Sequence, residues 1–134
     1  GGRMVFPYFG YYNASKHALE ATYEALWYET KSSEIRVKII EPGFTQTQFA
    51  THRMQCSGEQ NPYHKKQLQR LAKLMKEGTT ATSPVEVAKV IVEGLTDNRN
   101  KLRYVAGKYG ASLLILRKIL SDRFFMALIS KAVL

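Results

Sequence analysis

The sequence predicts an α/β fold, and three observations carry that expectation. From Asn13 to about Thr30 the residues have helical periodicity, with Ala14, Ala18, Ala21 and Ala25 in a small-residue stripe beside Leu19, Leu26 and Trp27. The β-branched run Glu34-Ile35-Arg36-Val37-Lys38-Ile39-Ile40 is stopped by Pro42-Gly43, as a strand would be. Ser83-Pro84-Val85-Glu86 then spells a helix start, with a serine cap, proline at the first helical position and glutamate at the third. Helix, strand, helix and strand alternate along the chain.

The first helix opens on the stretch that carries chemistry, Tyr12-Asn13-Ala14-Ser15-Lys16, followed by His17-Ala18-Leu19-Glu20-Ala21. On a helix, Tyr12 and Lys16 lie one turn apart on the same face. A phenol ordinarily ionises near pH 10, so near neutrality it is a poor base until a neighbouring positive charge favours its phenolate. Lys16 would supply that charge, and the tyrosine could then take a proton from an alcohol or give one to a carbonyl oxygen. The same spacing recurs at Tyr104-Val105-Ala106-Gly107-Lys108. That copy lies in a strand-like run broken by Gly107, where residues four apart do not stack, and is read as structural.

The first strand is expected to deliver a binding loop. Ligands of open α/β sheets sit beyond the carboxyl ends of strands, which makes Pro42 to Thr47 a candidate cofactor site. Glu41 is read as a solvated carboxylate at the strand end. From Phe49 to Thr82 the chain is first polar and poorly patterned, with turn signals at Ser57-Gly58 and Asn61-Pro62, as in a mobile lid. Within it Leu68, Leu71, Ala72 and Met75 line up opposite Lys65, Lys66, Arg70, Lys73 and Lys76, the pattern of an amphipathic helix. After Ser83, Val85, Ala88, Val92 and Leu95 continue an apolar face to the turn at Asp97-Asn98-Arg99-Asn100. Leu102 to Ala106 should form a further strand, and a basic helical tail should follow Gly110.

Composition narrows the function classes. At 134 residues and 45% hydrophobic content the chain is one domain's worth of an ordinary globular protein. It has no uninterrupted apolar run of about 18 residues, so a spanning helix is not expected. Cys56 is the single cysteine and cannot form an internal disulfide, which fits a reducing, cytoplasmic setting. His52 and Cys56 share a helical spacing, but two ligands do not make a metal site and none is expected. The net charge of +9 is concentrated late: after Asn98 come Arg99, Lys101, Arg103, Lys108, Arg117, Lys118, Arg123 and Lys131 against Asp122. With no nucleic-acid reading motif, the basic face is expected to be solvated. Its interleaved apolar residues, Leu113 to Leu116, Ile119-Leu120 and Phe124 to Ile129, are expected to pack on the rest of the domain. Peripheral membrane contact is the alternative.

The ordered combination of Gly1-Gly2-Arg3-Met4, Pro7, Gly10-Tyr11-Tyr12-Asn13-Ala14-Ser15-Lys16-His17-Ala18-Leu19-Glu20, Ile35-Arg36-Val37 and Glu41-Pro42-Gly43-Phe44-Thr45-Gln46-Thr47 closely resembles the classical short-chain dehydrogenase/reductase family. The resemblance covers Gly1 to about Thr47 and continues more weakly from Ser83 to Gly107. It implies a Rossmann-type, doubly wound parallel sheet. The chain opens on Gly1 and holds no glycine-rich dinucleotide fingerprint, so the resemblance implies a C-terminal portion. The nucleotide-binding half and the family's catalytic serine are expected before Gly1. Residues 1–48 would then hold the active-site helix, strand and Pro-Gly loop, residues 49–82 the substrate lid, and residues 83–134 the last helix, strand and basic tail.

The function implied by this resemblance is reversible hydride transfer between NAD or NADP and an alcohol or a ketone or aldehyde. Tyr12 matches the family's acid/base, and Lys16 the residue that tunes it and holds the nicotinamide ribose. Pro42, Gly43, Thr45 and Thr47 match the cofactor loop, Thr47 being the threonine that touches the carboxamide. Thr45 stands where valine or isoleucine is usual. The family's lid covers the substrate, so Phe44, Phe49, Met54 and Tyr63 hint at an apolar compound. The helix bearing Ala14, Ala18, Ala21 and Ala25 matches one that packs on its mate in a homo-oligomer. The Glu-Pro-Gly spelling resembles the hydroxysteroid and retinol dehydrogenase branch. Two alternatives stand beside this reading: an extended-type member such as a sugar-nucleotide epimerase, and a non-catalytic binding or membrane-surface module. The isolated 134 residues are expected to be inactive, since losing even one oxyanion-stabilising donor costs about 10²–10³ in rate.

Overall fold

A computed structural model describes residues 1–47, 61–77 and 81–133. Its elements are α1 (Gly10–Glu29), β1 (Ile39–Pro42), α2 (Pro62–Glu77), α3 (Pro84–Thr96), β2 (Arg103–Ala106), α4 (Lys108–Ile119) and α5 (Asp122–Val133). The α/β class expected from the sequence is the one observed. β1 and β2 pair in parallel, Ile39 opposite Arg103 and Pro42 opposite Ala106, with α3 as the connection packed on both strands. A two-stranded parallel sheet joined through a helix is one repeat of the doubly wound pattern.

α1 begins before the expected Asn13. The Asn13 N–H bonds the Phe9 carbonyl at 2.7 Å, so a further turn forms and Tyr12 lies inside the helix. β1 is also displaced, occupying Ile39–Pro42 rather than Glu34 to Ile40. Pairing sets its limits: the ladder needs β2, whose extended run is Arg103–Ala106, and residues 34–38 lie ahead of that register. There the side chains hold the chain instead. Arg36 Nη1 donates to Asn98 Oδ1 at 2.7 Å, and Lys38 Nζ donates to the carbonyls of Arg99 and Lys101. Pro42 closes the strand, and Gly43 N–H adds one more bond to the Ala106 carbonyl at 2.8 Å.

The helix start at Ser83 forms as spelled. Glu86 N–H donates to Ser83 Oγ at 3.2 Å and Ser83 N–H to Glu86 Oε2 at 3.0 Å, a reciprocal capping box. Just before it, Thr82 is bridged to the loop after β1: its N–H bonds the Phe44 carbonyl and its carbonyl accepts from Gln46. α2 provides the helix expected inside the lid segment and packs against α5. The tail is two helices rather than one, broken at Leu120-Ser121, and it starts at Lys108, ahead of Gly110.

Two glycines set close approaches. A Cβ on Gly94 of α3 would stand 3.2 Å from Ile40 Cδ1, so its absence lets the helix settle on the sheet. Gly107 has φ +97°, a conformation open to glycine, and turns the chain from β2 into α4. Among the described residues the buried apolar ones are Met4, Val37, Tyr104, Ala106 and Phe125. Among the described residues no helix is long and apolar enough to cross a membrane.

Candidate active site

α1 presents Tyr12 and Lys16 one turn apart toward a cavity of about 640 Å³. The opposite wall is the carboxyl end of β1 and the loop that follows it, contributing Pro42, Gly43, Phe44, Thr45 and Thr47. The structure therefore brings the Tyr-Lys pair and all four of the expected cofactor-loop residues around one space. Lys16 Nζ lies 5.6 Å from the centre of the Tyr12 ring, and the Phe9 ring meets Tyr12 edge-on at 6.1 Å. Thr45 Oγ1 donates to the Gly43 carbonyl at 3.1 Å, which folds the loop back on itself. Phe44 faces Phe6 across 6.2 Å. Leu113 and Leu114 of α4 complete an apolar wall.

Five side chains that the sequence did not mark as site residues build the frame. Asn13 is buried: its Oδ1 accepts from Phe6 N–H at 3.2 Å, and its Nδ2 donates to the carbonyls of Gly1 and Met4, each at 3.1 Å. It fastens the segment ahead of α1 to the helix one residue past Tyr12. Arg103 of β2 reaches Glu20 at 3.2 Å and Glu24 at 2.6 Å, both on α1, and Glu41 at 3.3 Å. A signal was available, because Glu20 and Glu24 continue the four-residue row begun by Tyr12 and Lys16.

Glu41 is not the solvated carboxylate expected. Its side chain is 10% exposed and is paired with Arg3 at 3.2 Å as well as with Arg103. Burial pushes its carboxyl above the usual range, opposed by Arg3 and Arg103 and reinforced by Glu20.

In the second Tyr-x-x-x-Lys copy Val105 lines this cavity but Tyr104 does not, and the role of Tyr104 is structural. Tyr104 is buried in β2, where its hydroxyl donates to Asp97 Oδ2 at 2.6 Å and accepts from Lys38 Nζ at 3.2 Å. Lys108 is the first residue of α4. Of the lid residues, Phe44 lines the cavity and Tyr63 is the second residue of α2, while Phe49 and Met54 lie outside the described residues. His52 and Cys56 do too. Among the described residues no group of three His, Cys, Asp or Glu side chains is arranged for a metal. Ala14, Ala18, Ala21 and Ala25 are all exposed.

Comparison with known proteins agrees with this layout. A family model for short chain dehydrogenase matches residues 1–57. An uncharacterised oxidoreductase of Schizosaccharomyces pombe is 38% identical over 95% of this chain and 53% of its own length. A probable short-chain type dehydrogenase/reductase of Helicobacter pylori is 31% identical over 99% of this chain and 49% of its own. A 3-ketodihydrosphingosine reductase of Bacteroides thetaiotaomicron is 33% identical over 68% of this chain and 35% of its own. The chain thus spans about half the length, or less, of these relatives. Joined to a Tyr-Lys helix and a Pro-Gly loop that face one cavity, these matches mean that the chain belongs to the short-chain dehydrogenase/reductase family.

Proposed function

We propose that this chain supplies the acid/base pair and nicotinamide-side loop of an NAD(P)-dependent oxidoreductase that interconverts an alcohol and a ketone or aldehyde. The observation that carries the reading is the convergence of Tyr12, Lys16, Pro42, Gly43, Thr45 and Thr47 on one cavity of about 640 Å³. The donor set fits the nicotinamide end of such a cofactor: an ammonium and hydroxyls for ribose and carboxamide, beyond the carboxyl end of a parallel strand. When bound, the cofactor supplies or receives the hydride. Tyr12 gives the proton to the carbonyl oxygen in reduction and takes it back in oxidation. Lys16 would stabilise the phenolate left behind and hold the ribose hydroxyls. Thr47 would hold the carboxamide, and Phe6, Phe9, Phe44, Leu113 and Leu114, which line the cavity, would exclude water from the reacting carbon.

That apolar wall favours a lipid-like ketone, and the Bacteroides relative is a 3-ketodihydrosphingosine reductase. The exposed face carrying Ala14, Ala18, Ala21 and Ala25 suits a homo-oligomer packed through α1. The test uses the protein encoded by the whole reading frame that contains these residues, in a ketone-reduction assay with each nicotinamide cofactor. Tyr12→Phe should lower turnover by at least about 10²-fold while cofactor binding persists, and Lys16→Met should weaken cofactor binding. Absence of nicotinamide binding by that protein, or full turnover by Tyr12→Phe, overturns the reading.

A further inference from the structure

α4 and α5 turn only part of their apolar surface inward. Phe125 is buried, and Leu113, Leu114, Leu116, Leu120 and Ile129 are half-buried. Ile115, Ile119, Phe124, Met126 and Leu128 remain outside, Ile119 being 74% and Phe124 67% exposed. Ile115 and Ile119 are four residues apart on α4, and Phe124 and Leu128 four apart on α5, so each helix carries an outward apolar stripe. The two helices touch and are joined through Leu120-Ser121.

The charge around these stripes is predominantly positive. Lys118, Arg123 and Lys131 are exposed beside them. From residue 108 onward the sequence holds Lys108, Arg117, Lys118, Arg123 and Lys131 against a single acid, Asp122. That acid is held by Arg117, whose Nη2 is 2.6 Å from Asp122 Oδ1 and whose guanidinium lies 5.1 Å from the Phe125 ring. Outward aromatic and aliphatic side chains among lysines and arginines match the boundary of an anionic bilayer: acyl chains take the stripes and headgroup phosphates the cations. A protein partner is less well matched, because interface cores are poor in lysine.

We propose that the α4–α5 pair docks on an anionic lipid surface, lying on it without crossing it. The proposal is independent of the reaction assigned to the Tyr12 cavity. It is tested by co-sedimenting the whole encoded protein with phosphatidylcholine vesicles, with and without about 30 mol% phosphatidylserine. Binding should be at least about tenfold stronger on the serine-lipid vesicles and should weaken when salt rises from about 0.1 to about 0.5 M. The triple variant Lys118→Glu/Arg123→Glu/Lys131→Glu and the double variant Ile119→Ser/Phe124→Ser should each lose at least about tenfold in binding, with the circular dichroism spectrum unchanged. All five positions are exposed, so these changes leave the packed side of the helices intact. Failure to sediment with the anionic vesicles, or equal binding to both lipids, overturns the proposal. So does a change in oligomeric state by these variants without loss of vesicle binding, which would assign the face to a second copy.

Discussion

The Nη2 of Arg103 lies 2.6 Å from Glu24 Oε2, and the same guanidinium reaches Glu20 and Glu41. One side chain on β2 therefore ties the helix that carries Tyr12 and Lys16 to the residue just before Pro42. The spacing between the proton-transfer pair and the cofactor loop depends on it. Arg103→Gln leaves three carboxylates gathered with one cation, Arg3, on Glu41. Breaking a buried ion pair costs about 3–5 kcal/mol, but Arg103 is partly exposed, so a loss of about 2 kcal/mol is expected. Adding Glu41→Gln should recover part of it by removing the most buried of the three charges. Denaturant midpoints of the two variants measure this, and a midpoint unchanged in Arg103→Gln would remove the strut from the account.

The positive φ of Gly107 gives a second expectation. Gly107→Ala would force +97° on an alanine and drive its Cβ into Thr82 Oγ1. A loss of about 2–3 kcal/mol is expected, combining a backbone cost of about 1 kcal/mol or more with the overlap. Combining it with Thr82→Ala should cancel only the overlap. The coupling energy from such a cycle separates the two causes, and zero coupling would show that Thr82 gives way freely.

How far the sequence could be read depends on whether the information is local. Tyr12, Lys16 and the capping box at Ser83 and Glu86 are spacings within one helix turn, so periodicity and cap chemistry expose them. Pro42 to Thr47 was legible because a strand followed by Pro-Gly fixes where a loop begins. Arg103, 79 residues from Glu24, was not legible, because only the tertiary placement of α1 beside β2 brings them together. Glu41 was misjudged for the same reason: its neighbours Arg3 and Arg103 arrive from both ends of the chain. The true limits of β1 needed the register with β2, since Ile35 to Ile40 looks equally extended throughout.

Tyr104 and Asp97 make a pH-dependent pair. Burial and the bond to Asp97 push the Tyr104 phenol up to about 12, while Arg99 and then Tyr104 hold the Asp97 carboxyl well below the usual range. The raised phenol favours its protonated form in the folded state. Its contribution is therefore complete below about pH 10, the ordinary value, and is lost as pH rises toward about 12. The lowered carboxyl contributes above about pH 3.9, and that contribution is lost as pH falls. Tyr104→Phe should flatten the alkaline limb of a stability-against-pH curve and shift the acid limb slightly upward. An alkaline limb identical to that of the unsubstituted protein would show that the phenol does not titrate with unfolding.

Asn13 gives the sharpest test of the frame, because its amide acts in both directions at once. Its oxygen accepts from Phe6 N–H, and its nitrogen donates to the Gly1 and Met4 carbonyls. Asn13→Ala leaves one buried donor and two acceptors without these partners, at a cost of about 2–3 kcal/mol. Asn13→Asp keeps the acceptor for Phe6 but turns a carboxylate toward two carbonyl oxygens. Only the protonated acid can donate there, so this variant should be most stable at low pH and lose stability as pH rises through the ionisation of the buried carboxyl. Near neutrality it should be no more stable than Asn13→Ala, although aspartate is closer in shape to asparagine. Thermal unfolding of both variants at about pH 4 and about pH 7 distinguishes the cases by sign. If Asn13→Asp matches the unsubstituted protein at both, the amide nitrogen makes no contribution and the segment ahead of α1 is held by packing around Met4 alone.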